Sequence, residues 1–202
     1  MAGNEHERRR LTEFFAVRAA GWEQRYPDDT PAYRAAVAEL GLGDGDRALD
    51  VGCGTGRALP LLRDAVGPSG TVVGVDLTPE MLDEAVALGR NAAGSLVEAY
   101  GDRLPLREEV FDAVLAAGLV HHLPDPAAGL RELARVTRPG GRLAVFHPVG
   151  RAALAARRGH ELRPDDIRAQ PRLGRALDDA GWELALLDDA EERYLALAVR
   201  VR

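Results

Sequence analysis

Residues 47–56 read Arg-Ala-Leu-Asp-Val-Gly-Cys-Gly-Thr-Gly, an apolar run that ends in three glycines at alternate positions. Helical spacing follows in Leu59, Leu62 and Val66, so the pattern predicts a buried strand, a tight turn and a helix. Glycine adopts positive φ without strain and, having no Cβ, lets a ligand approach the backbone N–H groups at a helix N-terminus. The segment therefore predicts a nucleotide-type cofactor lying over the turn.

The rest of the chain alternates strand-like and helix-like segments. Apolar and β-branched runs predict three further buried strands, over 71–76, 111–117 and 142–147. Prolines suited to a first helical turn predict three helix starts, at Pro79, Pro126 and Pro164. Segments 182–187 and 193–201 alternate as an antiparallel hairpin would. The predicted fold is α/β: a doubly wound, Rossmann-like sheet, mostly parallel, with an antiparallel C-terminal hairpin and helices on both faces.

Two helical segments precede the first strand. One pattern covers 5–20 and is broken by Gly21, and the other covers 31–40. Residues 1–40 are therefore predicted to be a helical extension that covers the site, and residues 41–202 to be the cofactor-binding domain. The alternative is that the two helices simply pack on the sheet. Trp22 and Tyr26 lie between the two helices, where lining a substrate pocket and anchoring the helices are equally good interpretations.

Charge and cysteine content exclude several classes of function. The 202 residues carry a net charge of −6, which argues against a surface built for nucleic acid or anionic membranes. Cys53 is the only cysteine, so an intramolecular disulfide and a multi-cysteine zinc site are excluded, and no metal is expected. A charged N-terminus and the lack of a long apolar run predict a cytoplasmic protein.

Two acidic residues flank the glycine turn. Asp76 ends the second predicted strand, where a carboxylate can accept hydrogen bonds from both ribose hydroxyls; the alternative is an exposed turn or cap residue. Asp50 precedes the first glycine and suits a cationic amine better than a pyrophosphate, which it would repel. Arg57 stands where a nicotinamide-type fingerprint would have its third glycine, which disfavours that cofactor class.

Four segments in order resemble the class I S-adenosylmethionine-dependent methyltransferases, in the branch typified by ubiquinone and menaquinone C-methyltransferases. They are Leu-Asp-Val-Gly-Cys-Gly-Thr-Gly at 49–56, Val-Gly-Val-Asp-Leu-Thr-Pro-Glu-Met-Leu at 73–82, Phe-Asp-Ala-Val at 111–114, and Arg-Glu-Leu-Ala-Arg-Val-Thr-Arg-Pro-Gly-Gly-Arg-Leu at 131–143. The resemblance covers residues 11–148 well. It is specific for the cofactor and says little about the methyl acceptor.

The resemblance implies S-adenosylmethionine as cofactor and S-adenosylhomocysteine as product. It implies a cofactor site built from these residues: Asp50, Gly52, Cys53, Gly54, Gly56, Asp76, Leu77, Met81, Tyr100, Gly101, Gly118 and Leu119. In the family arrangement Asp50 lies near the amino group and Asp76 holds the ribose hydroxyls. Leu77 and Met81 then border the adenine.

One position departs from the family pattern. The family commonly has an Asp before a Leu-Pro pair that binds the adenine amino group, and an ungapped alignment places Tyr100 there, followed by Gly101. Asp102 could substitute if the loop shifts by two residues. The departure puts adenine recognition in question.

His121 and His122 follow a predicted strand on the site side of the sheet. An imidazole can act as a general base or orient a substrate near neutral pH, and the alternative is that the pair orders the following loop. Cys53, inside the turn, is interpreted as a small packing residue rather than a nucleophile. Arginines 151, 157 and 158 could bind an acidic substrate or form a solvated face.

The sequence thus predicts an S-adenosylmethionine-dependent methyltransferase that acts on a small-molecule substrate, without nucleic-acid or membrane partners and with a homodimer as one possible assembly. A second hypothesis remains open, that of a non-catalytic S-adenosylmethionine- or nucleotide-binding module acting through a protein partner.

Overall fold

The computed structural model describes residues 2–25 and 29–201 of the chain. Within these residues the strands form one seven-stranded sheet. The strands are β1 (Arg47–Val51), β2 (Thr71–Asp76), β3 (Ser95–Glu98), β4 (Phe111–Ala117), β5 (Thr137–His147), β6 (Trp182–Asp189) and β7 (Tyr194–Arg200).

Helices connect the strands and precede the first of them. The α-helices are α1 (Ala2–Ala19), α2 (Trp22–Arg25), α3 (Thr30–Glu39), α4 (Leu59–Val66), α5 (Pro79–Ala87), α6 (Pro126–Val136), α7 (Arg151–Arg157) and α8 (Gln170–Asp179). Two 3₁₀ turns, Arg90–Ala92 and Val120–His122, lie before β3 and after β4. No helix in the described part of the chain is both long and apolar enough to cross a membrane.

The strand order is β3-β2-β1-β4-β5-β7-β6. Strands β1 to β5 pair in parallel, and β7 pairs antiparallel with both β5 and β6. The predicted fold is therefore confirmed, including the C-terminal hairpin. Strands β2 and β3 lie on one side of β1, and β4 and the later strands lie on the other, so the strand order reverses between β1 and β4. Ligands of such sheets bind at the carboxyl ends of the strands beside that reversal.

The sheet separates two apolar layers. Adjacent residues of one strand point to opposite faces, so Ala48 packs in one cluster and Leu49 in the other, and Val114 and Leu115 divide in the same way. All four side chains are fully buried, as expected of parallel strands covered by helices on both faces. This burial explains why the strands read as continuous apolar runs.

The structure differs from the predictions at three places. The predicted helix start at Pro164 is wrong: α8 begins at Gln170, with Pro171 in its first turn, and Asp166 upstream is held in a turn by its ion pair with Arg168. Strand β3 was not predicted, because it is four residues long and only partly buried at the sheet edge. Strand β5 begins at Thr137, directly after α6, so it is longer than 142–147.

The helices before β1 occupy different places. Helix α3 packs into one apolar layer, with Ala36 and Val37 buried and the Tyr33 ring 5.0 Å from that of Phe146. Helix α1 lies against α5 instead. The division of the chain at residue 40 stays a prediction.

Truncating a core leucine should destabilise the protein far more than truncating an exposed one. Leu133 of α6 is fully buried, so Leu133→Ala is expected to lower the free energy of unfolding by about 2–5 kcal/mol through lost burial and the cavity left behind. The matched change Leu88→Ala, at a side chain 44% exposed, should cost less than about 1 kcal/mol. Urea denaturation measures both, and equal losses would contradict this account of the core.

Candidate active site

The turn after β1 is held in place by the end of β2. Gly52 and Cys53 donate their backbone N–H groups to the carbonyl oxygen of Val75, at 2.8 and 2.9 Å. Gly54 donates its N–H to Oδ2 of Asp76 at 2.8 Å. Gly52 and Gly54 have φ values of 74° and 54°, in the left-handed region that other residues rarely adopt. The turn therefore needs both its glycines and the neighbouring carboxylate.

A cavity of about 660 Å³ lies over this turn. Its lining brings together most of the residues that the sequence places in the site: Trp22, Gly52, Cys53, Gly54, Asp76, Leu77, Met81, Tyr100, Gly101, Gly118, Leu119, His121 and His122. Asp50 and Gly56 are not in the lining, and Tyr26 lies outside the described residues. The lining residues follow β1, β2, β3 and β4, so the cavity sits where the strand order reverses.

Gly56 serves the packing of the turn. Its φ is 76°, and a Cβ at this position would lie 2.9 Å from Cδ1 of Leu59 and 3.4 Å from Cβ of Ala85. The missing side chain thus lets the turn approach α4 and α5 closely. The structure places this third glycine behind the cavity rather than at its surface.

Asp50 is a buried carboxylate with an unmet hydrogen-bonding need. It is 2% exposed, and no residue in the described part of the chain bonds its Oδ1. Burial, and then the nearby charge of Asp76, raise the pKa of Asp50 to about 7. The site therefore contains a group whose ionised form would be stabilised by a cation.

Asp76 is oriented by two backbone donors. Its Oδ2 accepts from Gly54 and its Oδ1 accepts from Thr78 at 2.8 Å. Burial raises the pKa of Asp76, and these backbone hydrogen bonds act against that rise. Each carboxylate oxygen has a second acceptor position, so Asp76 can still accept hydrogen bonds from a ligand in the cavity.

The loop after β3 carries the two candidates for the position of the family's adenine-binding Asp, Tyr100 and Asp102. Both line the cavity, and Arg8 of α1 contacts both. The Arg8 guanidinium donates to Oδ2 of Asp102 at 2.5 Å and lies 4.6 Å from the centre of the Tyr100 ring. Asp102 is therefore present at the cavity wall, and its partner comes from the N-terminal helix.

Apolar side chains of the N-terminal helices also line the cavity. Leu11, Phe14 and Phe15 come from α1 and Trp22 from α2. The Phe15 ring lies 5.9 Å from that of Trp22 and 5.4 Å from that of His122. These helices thus form one wall of the cavity.

Glu23 joins α2 to the glycine turn. Its carboxylate accepts from Thr55 at 2.7 Å and pairs with Arg57 at 3.1 Å and Arg90 at 3.0 Å. Burial would raise the pKa of Glu23, but the hydrogen bonds from Arg90 and Thr55 and the two positive charges outweigh it and lower that pKa. We call this group of four residues the Glu23 cluster.

Three histidines meet in the cavity wall. The His121 ring lies 4.1 Å from that of His122 and 6.3 Å from that of His147, which ends β5. Burial is the main cause that lowers the pKa of His121 to about 2 and of the other two to about 4. All three are neutral at pH 7, so each ring can offer one acceptor and one donor nitrogen.

His147 and Tyr33 are among the lining residues that sequence reasoning missed. His147 stands at a strand end beside the reversal, as His121 does, and that position was the available signal. Tyr33 of α3 also lines the cavity; burial, and then the charge of Asp50, raise its pKa. Nothing in the helical pattern around Tyr33 distinguishes it from a core residue.

Comparison with known proteins agrees with this geometry. The family described as "Methyltransferase domain" matches residues 49–145. An arsenite methyltransferase of Halobacterium salinarum is 30% identical over 195 residues, which cover 83% of this chain and 48% of the relative. A demethylmenaquinone methyltransferase of a Mycobacterium is 35% identical over 147 residues, 71% of this chain and 59% of the relative.

Residues 49–145 form a domain of the methyltransferase family, and the fold is that of the class I S-adenosylmethionine-dependent methyltransferases. An S-adenosylmethionine-dependent methyltransferase of Aquifex aeolicus has a TM-score of 0.70 at 26% identity, over 84% of this chain and 89% of its own. A Haloferax volcanii methyltransferase, solved in complex with the Trm112 activator, has a TM-score of 0.75 at 24% identity over 93% and 98%. This chain spans about half the length of the curated relatives it matches.

The residues of this site fit S-adenosylmethionine, the cofactor of the class I fold. S-adenosylmethionine carries an ammonium group, from which the orphaned oxygen of Asp50, behind the cavity lining, would accept a hydrogen bond directly or through a water molecule. Its ribose hydroxyls suit the remaining acceptor positions of Asp76. Cys53 does not compete as a nucleophile, because burial raises its pKa well above the ordinary value. Among residues 5–25 and 29–201, no group of three or more His, Cys, Asp or Glu side chains is arranged to hold a metal ion.

Binding of S-adenosylhomocysteine should strengthen as pH rises through about 7. The ammonium group requires the ionised form of Asp50, which is mostly protonated at pH 6 and mostly ionised at pH 8. For one such group the affinity should be roughly tenfold weaker at pH 6, with proton release on binding. Titration calorimetry at several pH values measures both effects.

Two variants test whether Asp50 causes this pH dependence. Asp50→Asn should weaken binding at pH 8 and remove most of the pH dependence, whereas Asp64→Asn, at an exposed site on α4, should leave both unchanged. An unaltered pH profile in Asp50→Asn would show that another group titrates.

Weakening the Glu23 cluster should loosen the N-terminal wall. Glu23→Gln removes the charge that pairs with Arg57 and Arg90, so α2 should lose its hold on the turn. We expect faster amide exchange in residues 2–25 and roughly tenfold faster dissociation of S-adenosylhomocysteine. Glu13→Gln, at an exposed position of α1, is the control, and equal exchange in the two variants would refute the anchoring role.

Proposed function

We propose that this protein transfers the methyl group of S-adenosylmethionine to a small-molecule acceptor. The observation that carries the proposal is the glycine turn tied to Asp76 above a buried, incompletely bonded Asp50. Family membership supports the cofactor, and the walled cavity of about 660 Å³ supports an acceptor of small size. When bound, the cofactor supplies a methyl group on a sulfonium, which a nucleophile displaces.

In this proposal the chain's own residues fix the cofactor at several points. Asp50 holds the ammonium group and Asp76 the ribose hydroxyls, each as an oriented acceptor. Leu77 and Met81 border the adenine, because both line the cavity next to Asp76. The methionine part lies along the turn, where glycines leave room for it.

The adenine end of the proposed site uses the loop after β3. Asp102 takes the place of the family's usual carboxylate, since Arg8 already holds its side chain at the cavity wall. Tyr100 and Gly101 border the ring, and Gly118 and Leu119 close the opposite side of the cofactor. Asp50, Gly52 and Cys53 complete the turn beneath it.

Methyl transfer depends on alignment of nucleophile, methyl group and sulfur in the absence of water. Residues 1–40 supply the exclusion of water, through the apolar side chains of α1 and α2 that wall the cavity. Trp22 contacts the acceptor from this side. His121 and His122 face the acceptor as neutral rings that orient it or take its proton. Both are weak bases in the free protein, because burial lowers the pKa of His121 to about 2 and that of His122 to about 4.

The second hypothesis, a cofactor-binding module that acts through a protein partner, has one supporting comparison. The Haloferax volcanii neighbour was solved in complex with a methyltransferase activator. If this chain works in that way, it should bind the cofactor alone but methylate an acceptor only when a partner is added. A homodimer also stays a prediction.

Calorimetric titration with S-adenosylmethionine, S-adenosylhomocysteine and NADH tests the cofactor. The two sulfur compounds should bind and NADH should not, because Arg57 stands where a nicotinamide-type fingerprint has its third glycine. Asp76→Asn should weaken S-adenosylhomocysteine binding at least about tenfold, since it loses the ribose contacts and disturbs the turn. Asp83→Asn, exposed on α5, should bind as the unmodified protein does.

Methyl transfer itself is measured with radiolabelled S-adenosylmethionine and a panel of small acceptors. Labelled product that disappears in Asp76→Asn but persists in Asp83→Asn would support the enzyme. Tight cofactor binding without transfer to any acceptor would favour the module acting through a partner. Absence of binding to either sulfur compound would overturn the cofactor assignment.

A further inference from the structure

Charge is distributed unequally along the cavity. The carboxylates of Asp76 and Asp102 line it near β2 and β3, with Asp50 buried nearby. In the segment that follows β5 along the chain, the lining instead includes Arg157 and Arg158. Strands β2 and β5 are three strand spacings apart, roughly 14 Å. One end of the cavity thus holds carboxylates, of which Asp102 is paired with Arg8, and the other end holds two arginines.

Three arginines of the segment after β5 have different surroundings. Arg151 pairs with Asp189 at 2.9 Å, so it fixes the start of α7 to β6. Arg157 and Arg158 are exposed and line the cavity, and among residues 5–25 and 29–201 their guanidinium groups have no ion-pair or hydrogen-bond partner. Both are exposed side chains in the cavity lining, so they are open to a ligand as well as to solvent.

A second cavity, of about 420 Å³, adjoins the first. The two share His121, Leu154 and Arg158 in their linings. The wall of the second includes Arg168, which is 9% exposed and pairs with Asp166 at 2.8 Å. Its Nη1 has no hydrogen-bond partner among the residues that the structure describes. A buried donor without an acceptor is costly, and a bound anion would satisfy it.

Apolar side chains also line the cavity, beside the three histidines. Phe14 and Phe15 come from α1, and Leu123, Val149 and Leu154 come from the segments after β4 and β5. A ligand that reaches from the turn to the arginines must therefore carry an apolar body. Its end at the arginines must be able to accept hydrogen bonds.

We propose that the methyl acceptor is a small amphipathic organic acid, whose carboxylate or phosphate is bound by Arg157, Arg158 and Arg168 while its apolar body lies against Phe14 and Phe15. This inference rests on the proposed function, since it names the substrate class of the same site. Guanidinium groups suit both anions, because their fixed donors match a planar carboxylate or a phosphate.

The bound anion has a consequence for the histidines. Positive charges of Arg158 and Arg168, together with burial, lower the pKa of His121, His122 and His147. An anion on these arginines offsets their charge, so the pKa of the histidines should rise when the acceptor binds. The rings would then be better bases with the acceptor present than in its absence.

Three aromatic probes test the anion site: benzoate, phenyl phosphate and the neutral benzyl alcohol. Each is titrated by calorimetry, with and without saturating S-adenosylhomocysteine. We expect the anions to bind at least tenfold more tightly than the alcohol, and the stronger of the two identifies the group. The histidine pKa values, followed by NMR, should rise with the anions and not with the alcohol.

The double variant Arg157→Gln/Arg158→Gln should weaken anion binding at least tenfold and leave binding of the alcohol unchanged. Arg131→Gln/Arg175→Gln is the matched control, because both arginines are exposed and line neither cavity. Its anion affinity should equal that of the unmodified protein. Since all four positions are exposed, thermal unfolding of both variants should match the parent.

Equal affinity for benzoate and benzyl alcohol, or full anion binding in the Arg157→Gln/Arg158→Gln variant, would overturn the inference. Either result would show that the arginines form a solvated face. Binding of S-adenosylhomocysteine in the same titrations reports separately on the proposed function. If S-adenosylhomocysteine does not bind, the cofactor assignment is refuted. Anion binding is still measured in the titrations without S-adenosylhomocysteine, so the two failures are distinguishable.

Discussion

The hydrogen bond from Gly54 to Asp76 joins the two halves of this site. It ties the turn after β1 to the end of β2, so the backbone of one strand end and the side chain of the next have a fixed relation. The turn can adopt this path only because glycine permits positive φ. Parallel pairing of β1 with β2 and β4 brings the strand ends to one edge, where the cavity opens.

The N-terminal helices depend on that turn in their own way. Helix α2 is anchored to it by the Glu23 cluster, and α1 reaches the loop after β3 through Arg8 and Asp102. Both contacts are charged hydrogen bonds in partly buried places, which are stronger than exposed pairs but still allow separation. The wall of the cavity and its floor are therefore connected by a few polar links around an apolar contact surface.

Much of the fold followed from local patterns, because buried parallel strands and their helices leave continuous apolar runs and marked helix starts. The edge strand β3 and the start of α8 did not follow, since β3 is only partly buried and Pro164 resembles Pro171 locally. In the site, the glycine turn with Asp50 and Asp76 was visible in sequence. The Glu23 cluster and Arg168 were not, because they depend on contacts between segments distant in the chain.

The burial of Asp50 near the turn affects folding and ligand binding in opposite ways. Burial and the proximity of Asp76 raise the pKa of Asp50, so ionising this group works against folding. In the absence of ligand, Asp50 therefore contributes less to the stability of the folded protein as the pH rises from about 4 towards 7. A cationic ligand removes the conflict by pairing with the charge. The stability of the folded chain and its occupancy by ligand are thus thermodynamically coupled through one side chain.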